Sequence, residues 1–94
     1  MAYSILPYTY RRARRLGVVV RPSRTRGKKV DVYDKVSGKK LASIGALGMN
    51  DYPTFRRKFG RRVAITKRRL YKARHEKDRH RIGTAGYYAD QLLW

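Results

Sequence analysis

The sequence predicts a small α+β domain: a β-hairpin packed against a basic helix, with an extended N-terminal arm and a short C-terminal helix. Three observations carry that expectation. Apolar and polar residues alternate with a period of two on either side of Ser37-Gly38. Apolar residues then recur at helical spacing from Phe55 to Ala73. Charge is also unevenly spread. The 94 residues carry 25 Lys or Arg against 6 Asp or Glu, a net charge of +19. Residues 1–29 hold nine of the basic residues and no acid, residues 30–53 hold three of each, and residues 54–94 hold thirteen basic residues and three acids. The packed body is therefore expected over 30–94, behind a basic arm of residues 1–29.

The arm is read from its charge run: Arg11, Arg12, Arg14, Arg15, Arg21, Arg24, Arg26, Lys28 and Lys29 without a single carboxylate between them. Pro7 and Pro22 interrupt regular helix. Arg11–Leu16 allows one helical turn ended by Gly17, and Val18–Val20 a short strand. The rest is expected to become ordered in the groove of a partner.

The hairpin spans 30–44. Val30 and Val32 alternate with Asp31 and Tyr33, and Leu41 and Ser43 with Ala42 and Ile44. Gly38 can take the positive φ that a tight turn demands. Two strands alone are marginal in water, so another element must cover one face. Phe55, Phe59, Val63, Thr66, Leu70 and Ala73 supply the cover, as one helix over about 54–78 or as two pieces broken near Gly60. In the last segment Thr84 is placed to cap a short helix over about 85–92. Tyr87, Tyr88, Leu92, Leu93 and Trp94 make this the most apolar stretch. Burying such side chains is worth roughly 1.5–3 kcal/mol each, so they fold back on the hairpin or dock on a partner.

Catalytic patterns are absent from the sequence. There is no Cys, and His75 and His80 sit five residues apart among cations, without a third metal ligand at useful spacing. The stretch Gly45–Gly48 lacks the lysine of a phosphate loop. No catalytic, cofactor or metal residues are expected, and the chain is read as non-enzymatic. The two longest uncharged stretches, residues 1–10 and 41–50, are too short to span a membrane.

The strong signal is the basic surface. Ten Lys or Arg flank the helical stripe, and no acid lies between Arg56 and His75. Like charges at i,i+4, such as Arg57/Arg61 and Arg68/Lys72, destabilise an isolated helix by about 0.2–0.5 kcal/mol each. A purely structural helix would interleave glutamates, so this one is expected to face an acidic partner. The expected contacts to phosphate or carboxylate are Arg11, Arg12, Arg14, Arg15, Arg21, Arg24, Arg26, Arg57, Arg61, Arg62, Arg68, Arg69 and Lys72. Tyr87, Tyr88, Leu92, Leu93 and Trp94 are the expected apolar docking residues. Tyr3, Tyr8 and Tyr10, beside the first arginine cluster, are candidates for stacking on bases or anchoring in a protein groove.

Residues 29–94 also resemble a group of small basic proteins encoded by large nucleocytoplasmic DNA viruses of algae and protists. The resemblance rests on DVYDKVSGKKLASIGALGMNDY, on RRLYKARHEKDRHR and on the ending TAGYYADQLLW. It covers about two thirds of the chain and offers no catalytic or binding residues to carry over. What it implies is a virus-encoded protein, made in the host cytoplasm and carried in the virion. With the charge, this points first to a minor capsid or cementing component that binds acidic surfaces of neighbouring capsid subunits or other virion proteins. Such a component would be ordered only within that assembly. The alternative is a sequence-nonspecific nucleic-acid-binding protein, of DNA-packaging or ribosomal type, with DNA or RNA as partner.

Overall fold

The computed structural model describes residues 3–94. The elements run α1 (Pro7–Leu16), β1 (Val18–Pro22), β2 (Lys28–Asp34), β3 (Lys40–Ala46), α2 (Tyr52–Phe59), α3 (Arg61–Arg74) and α4 (Ala85–Leu93). The strands form one antiparallel sheet in the order β1-β2-β3. The α+β class is as expected, and so is the hairpin, formed by β2 and β3 with Val30 opposite Ile44 and Val32 opposite Ala42. Its turn is held by Asp34, whose carboxylate accepts the backbone N–H groups of Val36 and Ser37 at 3.2 and 2.7 Å.

The extended arm is not there. Residues 7–22 form a helix and an edge strand of the sheet: the expected turn over Arg11–Leu16 ended by Gly17 and the expected strand at Val18–Val20 are there, but as parts of the body. Pro7 occupies the first turn of α1, where a missing N–H costs nothing, so it starts the helix instead of barring it. Gly17 ends α1 at φ +73, with its N–H on the Ala13 and Arg14 carbonyls. Val18 and Val20 then pair opposite Asp34 and Val32. The charge run argued against an independently stable element because it averages over the helix. One apolar side is enough for docking, and Thr9 and Ala13 provide it.

That docking makes the core. Ala13, Val18, Val20, Val30, Val32, Ile44, Leu92 and Leu93 form one buried cluster, flanked by Tyr3, Ile5, Leu16, Ala42, Tyr88, Ala89 and Trp94. α1 and α4 therefore cover the sheet, rather than the basic helix. The Thr9 hydroxyl donates to the Leu92 carbonyl at 2.9 Å and ties the two covering helices together. α4 begins where expected, with the Thr84 hydroxyl accepting the Tyr87 N–H at 3.3 Å.

Of the two forms expected over 54–78, the structure has the pair broken at Gly60. Gly60, at φ +89 and ψ 170, takes a conformation essentially reserved for glycine, and it separates α2 from α3. α3 stops at Arg74, and residues 75–84 are turns. The expected stripe is also out of phase. Phe59, Val63 and Leu70 remain exposed, whereas Ala64 and Tyr71 are buried. The stripe members within α3, Val63, Thr66, Leu70 and Ala73, are all exposed, so the inward face of α3 is set by what packs on Ala64 and Tyr71 and not by that stripe.

Gly45 and Gly38 both sit at positive φ, but only Gly45 lies in a crowded place. A Cβ there would stand 2.9 Å from Leu93 Cδ1 and 3.0 Å from Lys29 Cδ, whereas at Gly38 nothing lies within 4 Å. Gly38→Ala should cost only the left-handed strain, about 1–2 kcal/mol. Gly45→Ala should cost about 1–3 kcal/mol more through overpacking. Urea denaturation midpoints of the two variants check the difference.

Candidate nucleic-acid interface

Which cations are available outward depends on which are used inward. Three carboxylates are buried, Asp31, Asp51 and Asp90. Asp51 caps α2, accepting the Thr54 N–H at 3.0 Å, and also takes Lys29 Nζ at 3.0 Å and the Tyr3 hydroxyl at 2.7 Å. It thereby joins the chain start, β2 and α2. Burial, then this carboxylate, hold the Tyr3 hydroxyl protonated far above its ordinary range. Asp90, on α4, takes Lys72 of α3 at 2.8 Å and Arg79 at 3.7 Å. Asp31, on β2, receives the Ser23 and Ser43 hydroxyls at 2.6 and 2.7 Å, the Arg24 N–H at 3.2 Å and Lys40 at 3.6 Å, joining β2 and β3 to the β1–β2 connection. Burial pushes its pKa up, but the hydrogen bonds from Ser23, Ser43 and Arg24, with the Lys40 charge, outweigh it and leave it below 3.8. Glu76 lies in the turn after α3 with His80 at 2.7 Å and Arg79 at 2.8 Å. The His80 contact is the main reason that its carboxyl sits below the ordinary value.

These pairs occupy Lys29, Lys40, Lys72 and Arg79. The other 21 of the 25 Lys and Arg have no carboxylate within 4 Å among the described residues. All twelve arginines expected to meet a partner are among those 21. Lys72 is the exception, since it neutralises Asp90 at the α3–α4 contact. Arg12 is partly engaged as well: its guanidinium donates to the Gln91 carbonyl and, at 3.2 Å, to the Gln91 side chain.

Two aromatic ladders set the basic helices in place. Arg12 lies over the Tyr8 ring, Tyr8 packs on Tyr52 with centroids 5.2 Å apart, and Arg68 lies 4.1 Å above Tyr52. This ladder joins α1, α2 and α3. In the second, Phe55 packs on Trp94, Trp94 stacks on Tyr71 at 4.3 Å and 7°, and Tyr71 stacks on His75 at 4.3 Å. Burial, with the Asp90 charge beside it, raises the Tyr71 hydroxyl above its ordinary pKa. The expected apolar docking residues thus serve the protein's own interior: Leu92 and Leu93 are in the core, Trp94 is the wedge under α2 and α3, and Tyr87 packs edge-on against the half-buried Tyr88. Burial was anticipated for them; a partner is not needed to supply it.

The first ladder brings the start of α1 against the start of α2, through Tyr8 and Tyr52. Between them opens a cleft lined by Tyr8, Arg11, Arg12, Arg14, Arg15 and Arg56. Arg56, more than forty positions along from Arg15, is the member that sequence reasoning did not group with the others. Nothing in the linear pattern signals the pairing, because the Tyr8–Tyr52 contact creates it. Arg57 lies on the neighbouring rim with Arg11, Tyr52 and Pro53. Arg61, Arg62 and Arg69 are exposed on α3, and Arg21, Arg24 and Arg26 are exposed around the β1–β2 connection. Among the described residues, no three of His, Asp and Glu are grouped to hold a metal ion. No helix of these residues is long and apolar enough to cross a membrane. Comparison with family models, curated proteins and solved structures gives no match.

Two outcomes separate inward from outward cations. Lys72→Met should lower stability by about 1–3 kcal/mol, because Asp90 is left buried with the Gln91 amide at 3.3 Å and only the more distant Arg79 as a cation. Arg69→Met should stay within about 0.5 kcal/mol of the parent. Chemical denaturation of both variants makes the comparison. The second outcome concerns Asp31. Its folded pKa lies below the ordinary aspartate value, so its contribution is fully present above that ordinary value and is lost as pH falls through the folded one. Ser43→Ala should therefore cost about 1 kcal/mol at neutral pH, and the gap from the parent should close as pH drops below the ordinary carboxylate range. Denaturation midpoints between neutral and strongly acid pH test this.

Proposed function

We propose that this chain is a non-enzymatic protein that binds nucleic acid through phosphate-led, sequence-independent contacts. The supporting observation is the imbalance just described: 21 cations without an internal partner, most of them exposed on α1, α2 and α3. Such a surface repels itself and attracts polyanions. Arginine dominates it, and the planar guanidinium fork suits phosphate oxygens. The acids are buried or held in turns, and none pairs with an arginine of α1, α2 or α3. The resemblance to virus-encoded basic proteins supports a virion setting, with the packaged genome as the polyanion.

One observation favours a second reading, a minor capsid or cementing component on acidic neighbouring subunits. Phe59, Val63 and Leu70 are exposed apolar side chains among basic residues, and a phosphate backbone offers nothing apolar to cover them. Against it, the N-terminal segment and the Leu-Leu-Trp tail that were expected to grip neighbours are packed into the body itself.

Titration of the full chain with random-sequence duplex DNA across a salt series tests the first reading. Binding in the micromolar range or tighter is expected, with a log–log slope of about −0.9 for each phosphate neutralised. Indifference to DNA at low salt would remove it, and capsid subunits would become the partner to test.

A further inference from the structure

We propose that the cleft between α1 and α2 is the principal phosphate seat and that it takes the backbone of a nucleic-acid duplex in preference to a single strand. This rests on the nucleic-acid reading above. The cleft has a volume of about 520 Å³, and five of its six lining residues are arginines. No carboxylate lines it. Arg11, Arg14, Arg15 and Arg56 are exposed, so their guanidinium groups are free to turn toward an anion. Arg12 is fixed by Gln91, which adds one anchored cation beside four mobile ones. On α1, Arg11 is three and four residues from Arg14 and Arg15, the spacing that places side chains on one face. That face opens toward Arg56 of the second helix.

The preference for a duplex follows from what the cleft lacks. Proteins that hold single strands stack bases on free aromatic rings. The one aromatic residue in this cleft, Tyr8, is already packed on Tyr52 and covered by Arg12. Tyr52 is buried beneath Arg68, and Tyr3 is committed to Asp51 and Lys29. Of the three tyrosines expected near the first arginine cluster, Tyr10 alone is exposed, and it is not part of the cleft lining. The cleft thus offers guanidinium donors without a stacking platform. Such a site reads phosphates alone, and a duplex presents twice the phosphate density of one strand along its axis.

The test uses the full chain with fluorescently labelled, random-sequence DNA of one length, as duplex and as single strand, followed by anisotropy. The duplex should bind more tightly, by about fivefold or more at near-physiological salt. Arg14→Ala/Arg15→Ala should weaken duplex binding about tenfold or more and reduce the magnitude of the salt slope by about 2. Arg11→Ala/Arg56→Ala, which avoids the C-terminal turn of α1, should do the same, with circular dichroism confirming the fold of each variant. Lys35→Ala/Lys39→Ala, exposed in the hairpin turn and outside both the cleft and the expected contacts, should change affinity by less than about threefold. Single-strand binding equal to or tighter than duplex binding would overturn the preference. An equal loss in the cleft and control pairs would overturn the location, with the nucleic-acid reading left standing. Failure of the parent protein to bind either DNA would remove both.

Discussion

Three buried carboxylates hold this molecule together. With 6 acids against 25 bases, an acid in the interior anchors cations that would otherwise drive elements apart. Asp51 joins the chain start, β2 and α2; Asp31 joins β2 and β3 to the β1–β2 connection; Asp90 joins α4 to α3 and to the turn that follows. A buried ion pair is weak evidence of net stability, because desolvation offsets much of the attraction. Its strength lies in specificity. Each of these carboxylates would be costly to leave unpaired, so each enforces one arrangement of the elements around it.

This placement of the acids also shapes the outer surface. An acid used inside cannot relieve repulsion outside. The helices that the aromatic ladders fix beside one another therefore carry arginines without counter-charge, and the cleft between α1 and α2 concentrates five of them. The division of labour is physical rather than compositional: Lys72 and Lys29 resemble the other cations in the chain, yet they are interior partners of Asp90 and Asp51.

The hairpin was legible because everything that specifies it is local. Alternation of Val30 and Val32 with polar neighbours, and a turn containing Gly38, lie within a short run of chain. Thr84 as the cap of α4 was legible for the same reason. The face that α3 presents inward was not. Tyr71 is chosen by Trp94, and Arg68 by Tyr52, so the phase of α3 is set by partners outside it. The stripe from Phe55 to Ala73 is a genuine periodicity, but Gly60 breaks the helix that would have made it one face. The extended arm failed as an expectation for a related reason. A count of charges describes the solvent side of a helix, while docking is decided by the side that carries Thr9 and Ala13.

The sequence alone determined the charge imbalance, the hairpin, the glycine break and the capped final helix, since each depends on residues close together in the chain or on a sum over all of them. Tertiary structure decided which cations face inward, what becomes of the Leu-Leu-Trp tail, and that Arg56 joins Arg11, Arg14 and Arg15. Those outcomes depend on contacts between residues far apart in the chain, and no local pattern encodes the distance between them.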